Sequence, residues 1–259
     1  MSQQLEALGL MQVQVPVVPV YDSFVVNSLL TTQVMLGEHF VVEKTQSHWA
    51  YGYPEHDPAQ KGWIKSYQVV LQKPKPLSHR VSCLQSVVYS LPGVKSQATA
   101  IIGMNARVSV EEVRDGFGCI GEGKWVYMRH LARADAASRD WVVAAEQCRN
   151  VPYLWGGRNP AHGLDCSGLV AAALLARGIY APHNSAQMEA ELGYDMPRHA
   201  LLGLMRGDLV FWKGHVGIML DADNILHATA EPYCAVVEEP LSAVVARRKA
   251  DITRVRRIE

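Results

Sequence analysis

The stretch from Tyr153 to Val170 reads Tyr-Leu-Trp-Gly-Gly-Arg-Asn-Pro-Ala-His-Gly-Leu-Asp-Cys-Ser-Gly-Leu-Val, and it constrains the chain more than any other. Its Gly-, Pro- and Asn-rich part is a loop that ends at Asp165. The next residue, Cys166, opens an apolar segment (Leu169, Val170, Ala171 to Ala173, Leu174, Leu175) that closes at Arg177-Gly178. The pattern predicts a helix with a thiol in its first turn. Unpaired N–H groups and the positive dipole end at a helix start favour an anion, so this thiol is expected to ionise easily. A thiolate is a nucleophile. A free cysteine is as commonly a small buried packing residue, and this stretch alone does not separate the two.

A length of 259 residues suits one large domain or a main domain with small companions. With 19% charged residues and a formal net charge of zero, the chain lacks the basic excess that nucleic acid or an anionic membrane calls for. No apolar run is long enough to span a bilayer, and Met1 to Leu10 lacks a basic region followed by an apolar one. The expectation is a cytoplasmic protein; a chain relieved of a signal peptide would read the same and be periplasmic or secreted. The five cysteines, Cys83, Cys119, Cys148, Cys166 and Cys234, are odd in number and form no CxxC pair. Neither a disulfide framework nor a zinc knuckle is indicated, and one cysteine is free to react. There is no HExxH, so no metal and no cofactor is expected. Oligomeric state is not legible.

Residues from about Val13 to Leu71 read as short strands broken by turn residues: Val13 to Val20, Gln33 to Leu36, Phe40 to Glu43, Trp49 to Tyr53 and Gly62 to Lys65. From about Val81 to Leu131 the plan repeats. Val20-Tyr21 corresponds to Val88-Tyr89, Val34 to Gly37 to Ala100 to Gly103, and Gly62-Trp63-Ile64 to Lys124-Trp125-Val126. This is duplication of a unit of about sixty residues. Lys73-Pro74-Lys75-Pro76 is a stiff charged link between the copies. Each copy resembles the bacterial SH3-type barrel. Gly116 to Gly121 matches the dinucleotide pattern GxGxxG, but turn and strand residues follow where the pyrophosphate needs a helix start, so the match carries nothing.

From about Ala132 the composition changes, and a helical segment over Trp141 to Cys148 ends near Asn150, before Pro152. After the Cys166 helix come a loop at Tyr180 to His183, a short helix over Asn184 to Leu192, and the strands Asp208 to Trp212, His215 to Leu220, Asn224 to Ala228 and Ala235 to Glu238. Helices first and antiparallel strands after make an α+β domain. A cysteine nucleophile needs a base and a group to orient that base. His215 starts an apolar strand between Gly214 and Gly217, and His227 lies on the next strand beyond the turn Asp221 to Asn224. That turn can bring the two imidazoles side by side on one face, His215 taking the thiol proton and His227 holding its tautomer.

Tyr153-Leu-Trp-Gly-Gly, Asp165-Cys-Ser-Gly-Leu-Val, Gly207-Asp-Leu-Val-Phe-Trp, Gly214-His-Val-Gly-Ile and Leu226-His-Ala are similar to the successive motifs of the NlpC-type cell-wall cysteine peptidases, a papain-like superfamily. The resemblance covers about Asp140 to Glu259. It implies an α+β papain-like catalytic domain over 135–259, preceded by two small all-β SH3-like barrels over 1–73 and 77–131. It implies a γ-D-glutamyl endopeptidase acting on peptidoglycan stem peptides, with a Cys166, His215, His227 triad and murein tripeptide or tetrapeptide as substrate.

By the same resemblance the Tyr153 hydroxyl joins the Cys166 N–H in stabilising the oxyanion, and Trp155, Asp165 and Ser167 hold the substrate's first residues. Asp165 also suits the helix start as a carboxylate. Two barrels before the catalytic domain are similar to the recycling branch, which cuts free murein peptides between γ-D-Glu and the diamino acid behind an unblocked L-Ala. There a barrel tyrosine walls off longer substrates, for which Tyr51 and Tyr53 are the candidates here. Where relatives often carry Pro-Arg-Asp-Ser, this chain has Pro182-His183-Asn184-Ser185. Asn184 attracts an ammonium less than a carboxylate would, which bears on free-L-Ala specificity; Asn184 and Ser185 also suit a helix cap. Two alternatives stand beside the peptidase: a papain-like amidase or acyltransferase on another substrate, and a peptidoglycan-binding protein with an inactive last domain.

Overall fold

Strands form in the first half of the chain because apolar residues recur at every second position. Along Val17–Tyr21 only Val18 and Val20 are buried, and along Trp49–Pro54 the alternate residues Ala50, Gly52 and Pro54 are. The computed structural model describes residues 9–70, 77–197 and 203–258. Contacts divide the chain into two units, Met1–Ala136 and Ala137–Glu259. The expected link at Lys73 to Pro76 lies outside the described residues.

In the first unit, β1 (Gly9–Val13), β2 (Val17–Tyr21), β3 (Leu30–Met35), β4 (His39–Gln46), β5 (Trp49–Pro54), β6 (Gly62–Lys65) and β7 (Val69–Val70) form one antiparallel sheet in the order β3-β2-β6-β5-β4-β1-β7. It closes on Met11, Val13, Val18, Val20, Val34, Phe40 and Ile64. The next eight strands are β8 (His79–Val81), β9 (Gln85–Tyr89), β10 (Ala98–Gly103), β11 (Arg107–Val108), β12 (Glu112–Arg114), β13 (Phe117–Cys119), β14 (Trp125–Tyr127) and β15 (Leu131–Arg133). They pair as β10-β9-β14-β13-β12 and β11-β8-β15 around Val81, Val88, Ile102, Val108 and Val126. The second set repeats the neighbour relations of the first. Tyr21 pairs with Trp63 as Tyr89 pairs with Trp125, and β4-β1-β7 recurs as β11-β8-β15. The all-β region fits SH3-like domains.

Two details differ from the sequence reading. The run Val13 to Val20 is not one strand: the chain turns at 14–16, where Pro16 has no N–H to donate. The match of Val34 to Gly37 with Ala100 to Gly103 is two residues out of register. Val34 lies opposite Val18 and Ile102 opposite Ser86, and Val18 and Ser86 each stand three residues before the matched tyrosine, so Val34 corresponds to Ile102. A slip of two keeps every side chain on its own face, so apolar alternation cannot detect it. Gly116 to Gly121 lies over β13 and a turn, and β14 follows rather than a helix.

The second unit contains α1 (Val142–Glu146), the small hairpin β16 (Arg158–Asn159) and β17 (Gly163–Leu164), α2 (Cys166–Ala176), α3 (Ser185–Glu191), β18 (Tyr194–Asp195), β19 (Asp208–Trp212), β20 (His215–Met219), β21 (Asn224–Thr229), β22 (Ala235–Pro240), α4 (Leu241–Arg248) and β23 (Arg254–Arg257). Six strands form an antiparallel sheet, β18-β23-β19-β20-β21-β22, and α2 packs against β20 and β21. Every residue of α2 is buried, which its composition of Ala, Leu, Val, Gly, Ser and Cys permits. The helix expected from Trp141 towards Asn150 is shorter: after α1, Cys148 and Arg149 donate to carbonyls three residues back, a tight turn that ends at Asn150. The sequence reading stopped at Glu238 and missed α4 and β23. The unit has the α+β papain-like fold.

Candidate active site

Asp165 organises the start of α2. Its Oδ1 accepts from the Gly168 N–H (2.7 Å) and the Ser167 hydroxyl (2.9 Å), and its Oδ2 accepts from the Gly156 N–H (2.9 Å). One carboxylate therefore caps the helix and pins the preceding loop to it. Gly168 lets that loop lie on the first turn, since a Cβ there would stand 1.9 Å from the Gly157 carbonyl oxygen. Cys166 is thereby fixed in the first turn and buried, where the backbone N–H groups of Ser167 and Val216 favour a charged sulfur. The second of these is the residue after His215, so the thiol meets the first turn of its own helix and the start of β20 at once.

The histidines follow from strand register. Trp212 on β19 lies opposite His215, and Ile218 on β20 opposite Leu226 on β21. His215 Nε2 is 2.8 Å from His227 Nδ1, both rings being buried. They meet on a diagonal rather than directly across. Gly217 makes room for this, because a Cβ there would sit 2.6 Å from Ile225 Cδ1 and 3.2 Å from His227 Cβ. A second diagonal step leads to β22, where His227 Nε2 is 2.8 Å from Glu239 Oε1. Arg247 in the last turn of α4 grips both oxygens of that carboxylate, Nη1 donating to Oε2 at 2.8 Å and Nη2 to Oε1. With Nε2 of His215 held by His227, Nδ1 is the ring nitrogen left for a thiol proton.

Burial pushes the Cys166 thiol up, and the Asp165 carboxylate pushes it further; the Val216 and Ser167 N–H groups and Arg248 oppose this without reversing it. Burial likewise drives His215 well below the ordinary imidazole range, helped by Arg248, His227 and Arg247. The resting pair at neutral pH is thiol and neutral imidazole. This corrects the expectation of easy ionisation, because desolvation at a fully enclosed helix start outweighs the dipole. Burial raises and Arg247 and His227 lower Glu239, with a net fall, so Glu239 is a carboxylate, while burial keeps His227 neutral despite it.

Residues 150–249 match the NlpC/P60 family. They form an NlpC/P60 domain. The chain is 24% identical over 221 residues to γ-D-glutamyl-L-lysine dipeptidyl-peptidase of Bacillus subtilis, covering 78% of this chain and 73% of that one. It is 27% identical over 218 residues to dipeptidyl-peptidase 6 of Lysinibacillus sphaericus, covering 73% and 76%. A crystal structure of an NlpC/P60 family protein from Bacillus cereus superposes with a TM-score of 0.80 at 18% identity over 96% of this chain and 99% of that one, a likeness of fold.

Around Cys166, His215 and His227 the remaining candidates fall into two groups. Tyr153 is half-buried, its N–H bonded to the Cys234 carbonyl (2.8 Å), and burial together with Cys166 and Asp165 raises its hydroxyl to about 12. It therefore stays protonated and able to donate. Trp155 is exposed beside it, 68% accessible on the loop that Asp165 holds. Ser167 donates to Asp165, and Asp165 also meets buried His183, whose Nε2 is 3.0 Å from Oδ1. Asn184 is occupied differently: its Oδ1 accepts the Ala186 and Gln187 N–H groups, capping α3 directly before Ser185. Tyr51 and Tyr53 lie on β5 in the first unit, Tyr51 5.1 Å from the Trp63 ring and Tyr53 beneath the Lys61 ammonium at 5.2 Å. Among the described residues no group of three or more His, Cys, Asp or Glu is placed to hold a metal, and no helix is long and apolar enough to cross a membrane.

Sequence reasoning missed His183, Glu239, Arg247 and Arg248, whose guanidinium lies 5.7 Å above the Trp212 ring. A signal for Glu239 was present, since it follows His227 by the same interval that separates His227 from His215.

Proposed function

We propose that this NlpC/P60 protein is a cysteine endopeptidase that hydrolyses the bond between γ-D-Glu and the diamino acid of peptidoglycan stem peptides, in the recycling of free murein peptides. The observation that carries the reading is the burial of Cys166 at a capped helix start beside a His215–His227 pair linked at 2.8 Å. The names of the two relatives, both dipeptidyl-peptidases and one of them a γ-D-glutamyl-L-lysine dipeptidyl-peptidase, support the substrate class.

The chemistry follows from the neutral resting pair. The Cys166 proton passes to His215 Nδ1 as sulfur attacks the γ-carbonyl carbon, forming a C–S bond and an oxyanion. The Tyr153 hydroxyl and the Cys166 N–H donate to that oxyanion. Its collapse breaks the C–N bond, and the His215 imidazolium returns the proton to the departing amine. Water, deprotonated by His215, then attacks the thioester; the C–S bond breaks, the dipeptide leaves as a carboxylic acid and the thiol is restored. Trp155, Asp165 and Ser167 hold the first two residues of the substrate.

The test is to incubate the protein with L-Ala-γ-D-Glu-diamino acid tripeptide, its N-acetylated form and intact sacculi, with product masses read out. Cleavage of the free tripeptide alone supports recycling and, with it, a cytoplasmic site of action. Cleavage of sacculi points to wall turnover instead, and Cys166→Ala that still turns over the tripeptide ends the peptidase reading.

A further inference from the structure

The triad rests on a charged pair that neither the motifs nor the relatives' names mention. Glu239 is buried, touches no part of the thiol, and has its carboxylate shared between His227 on one side and Arg247 on the other. A buried carboxylate is costly unless its bonds are made, and here both oxygens are engaged. We infer that Glu239, gripped by Arg247, is a positioning residue that sets the tautomers of His227 and His215 and so leaves His215 Nδ1 unprotonated for the Cys166 proton. This rests on the reading of Cys166 and His215 as nucleophile and base.

The argument is a count of donors and acceptors. A carboxylate only accepts, so His227 Nε2 carries a proton and donates to Glu239 Oε1. Neutral His227 then has a bare Nδ1, which must accept from His215 Nε2–H across the 2.8 Å contact. Neutral His215 with a proton on Nε2 has its lone pair on Nδ1. Arg247, which has donors and no acceptors, keeps the carboxylate ionised and its oxygens in place. The charged and titratable groups acting on His215 are Arg248, His227, Arg247 and Asp165; those on Glu239 are Arg247 and His227.

Glu239→Met, which removes both carboxylate oxygens at similar side-chain length, tests the count. With the carboxylate gone, His227 Nε2 faces the donor Arg247 in place of an acceptor and no longer needs its proton. Every donor in the row then reverses, and the proton moves to His215 Nδ1. The expected result in the full chain is a loss of about 100-fold or more in tripeptide kcat with KM within about two-fold, since a wrong tautomer disables the base without touching substrate. Histidine 15N NMR should show the His215 proton shifting from Nε2 to Nδ1, a signature that a merely structural residue would not produce. Arg247→Met, on the exposed side of α4, should give a smaller loss, about three- to ten-fold, and serves as the second variant if the first does not fold.

The NMR arm needs no substrate. A wild-type protein inert to the tripeptide would undo the substrate reading while leaving the tautomer measurement to decide this one. Unchanged histidine tautomers in Glu239→Met, or kcat within about two-fold of wild type in whichever variant folds, overturns the inference.

Discussion

The two units bury charge for different ends. In the first, buried Glu38 turns back on its own turn, Oε2 accepting the Met35 N–H at 2.9 Å, and buried Arg80 reaches the Ala136 carbonyl at 3.0 Å. Each polar side chain holds backbone. In the second, His215, His227 and Glu239 are buried against one another, one from each of three consecutive strands. Both units use the same alternating strands, so alternation alone does not create a site. What differs is that the interior positions of three adjacent strands are polar together, so that a row of titratable groups costs less to bury than any one of them alone. The first unit repeats one apolar plan twice, with Phe40, Trp63, Phe117 and Trp125 among its buried residues.

The sharpest break between the units should come from His215→Ala. It is expected to lower tripeptide kcat by about 10,000-fold in steady-state assays while circular dichroism stays native. Next in size is Leu169→Ala on wholly buried α2, expected to cost about 2–5 kcal/mol of second-unit stability in denaturant melts, because the helix has no solvent face into which the cavity can collapse. Glu38→Ala should cost about 1–3 kcal/mol in the first unit by leaving the Met35 N–H unpaired, with tripeptide kcat unchanged. A fall in kcat there would erase the contrast.

Acid should act on the second unit through Asp165. Burial raises this carboxyl, but His183, the Gly168 N–H and the Ser167 hydroxyl lower it more, so its folded value lies below the ordinary 3.8. A depressed carboxylate contributes stability that is complete above its unfolded value and is lost as pH falls through the folded one. Melts should therefore weaken below about pH 4 in wild type, and Asp165→Asn should flatten that dependence. The smallest effect is reserved for Asn184→Asp. Aspartate caps α3 equally well, so stability should hold while KM for the free-amine tripeptide falls by no more than about five-fold, the worth of an exposed ion pair. A KM unchanged relative to the N-acetylated peptide would show that residue 184 does not meet the substrate amine.

Much was legible in the chain itself. Asp165 to Gly178 gave the first residue of α2 and its end to within a residue or two, Asn184 gave the cap of α3, and the strands bearing His215 and His227 were placed to within a residue, since capping chemistry and apolar periodicity are local. The repeat within the first unit was visible from Tyr21, Tyr89, Trp63 and Trp125, but not its register, because a shift of two preserves the faces. β23 went unseen because Arg254, Arg256 and Arg257 disguise a strand as a charged tail; Arg257 is spent on Asp208 at 2.7 Å and Arg256 on the Glu189 carbonyl.

The sequence by itself determined which helix carries Cys166 at its start and which neighbouring strands carry His215 and His227, because these depend on neighbours within a turn or a hairpin. Only the tertiary structure decided three things. Cys166 rests as a protonated thiol, since enclosure by β20 removes the water that the dipole argument assumes. Asn184 is committed to a helix cap. The histidine pair ends on Glu239 and Arg247, brought to it by strand order and by a helix that follows the last strand of the row, and the strength of a charge contact depends on burial that no local pattern records.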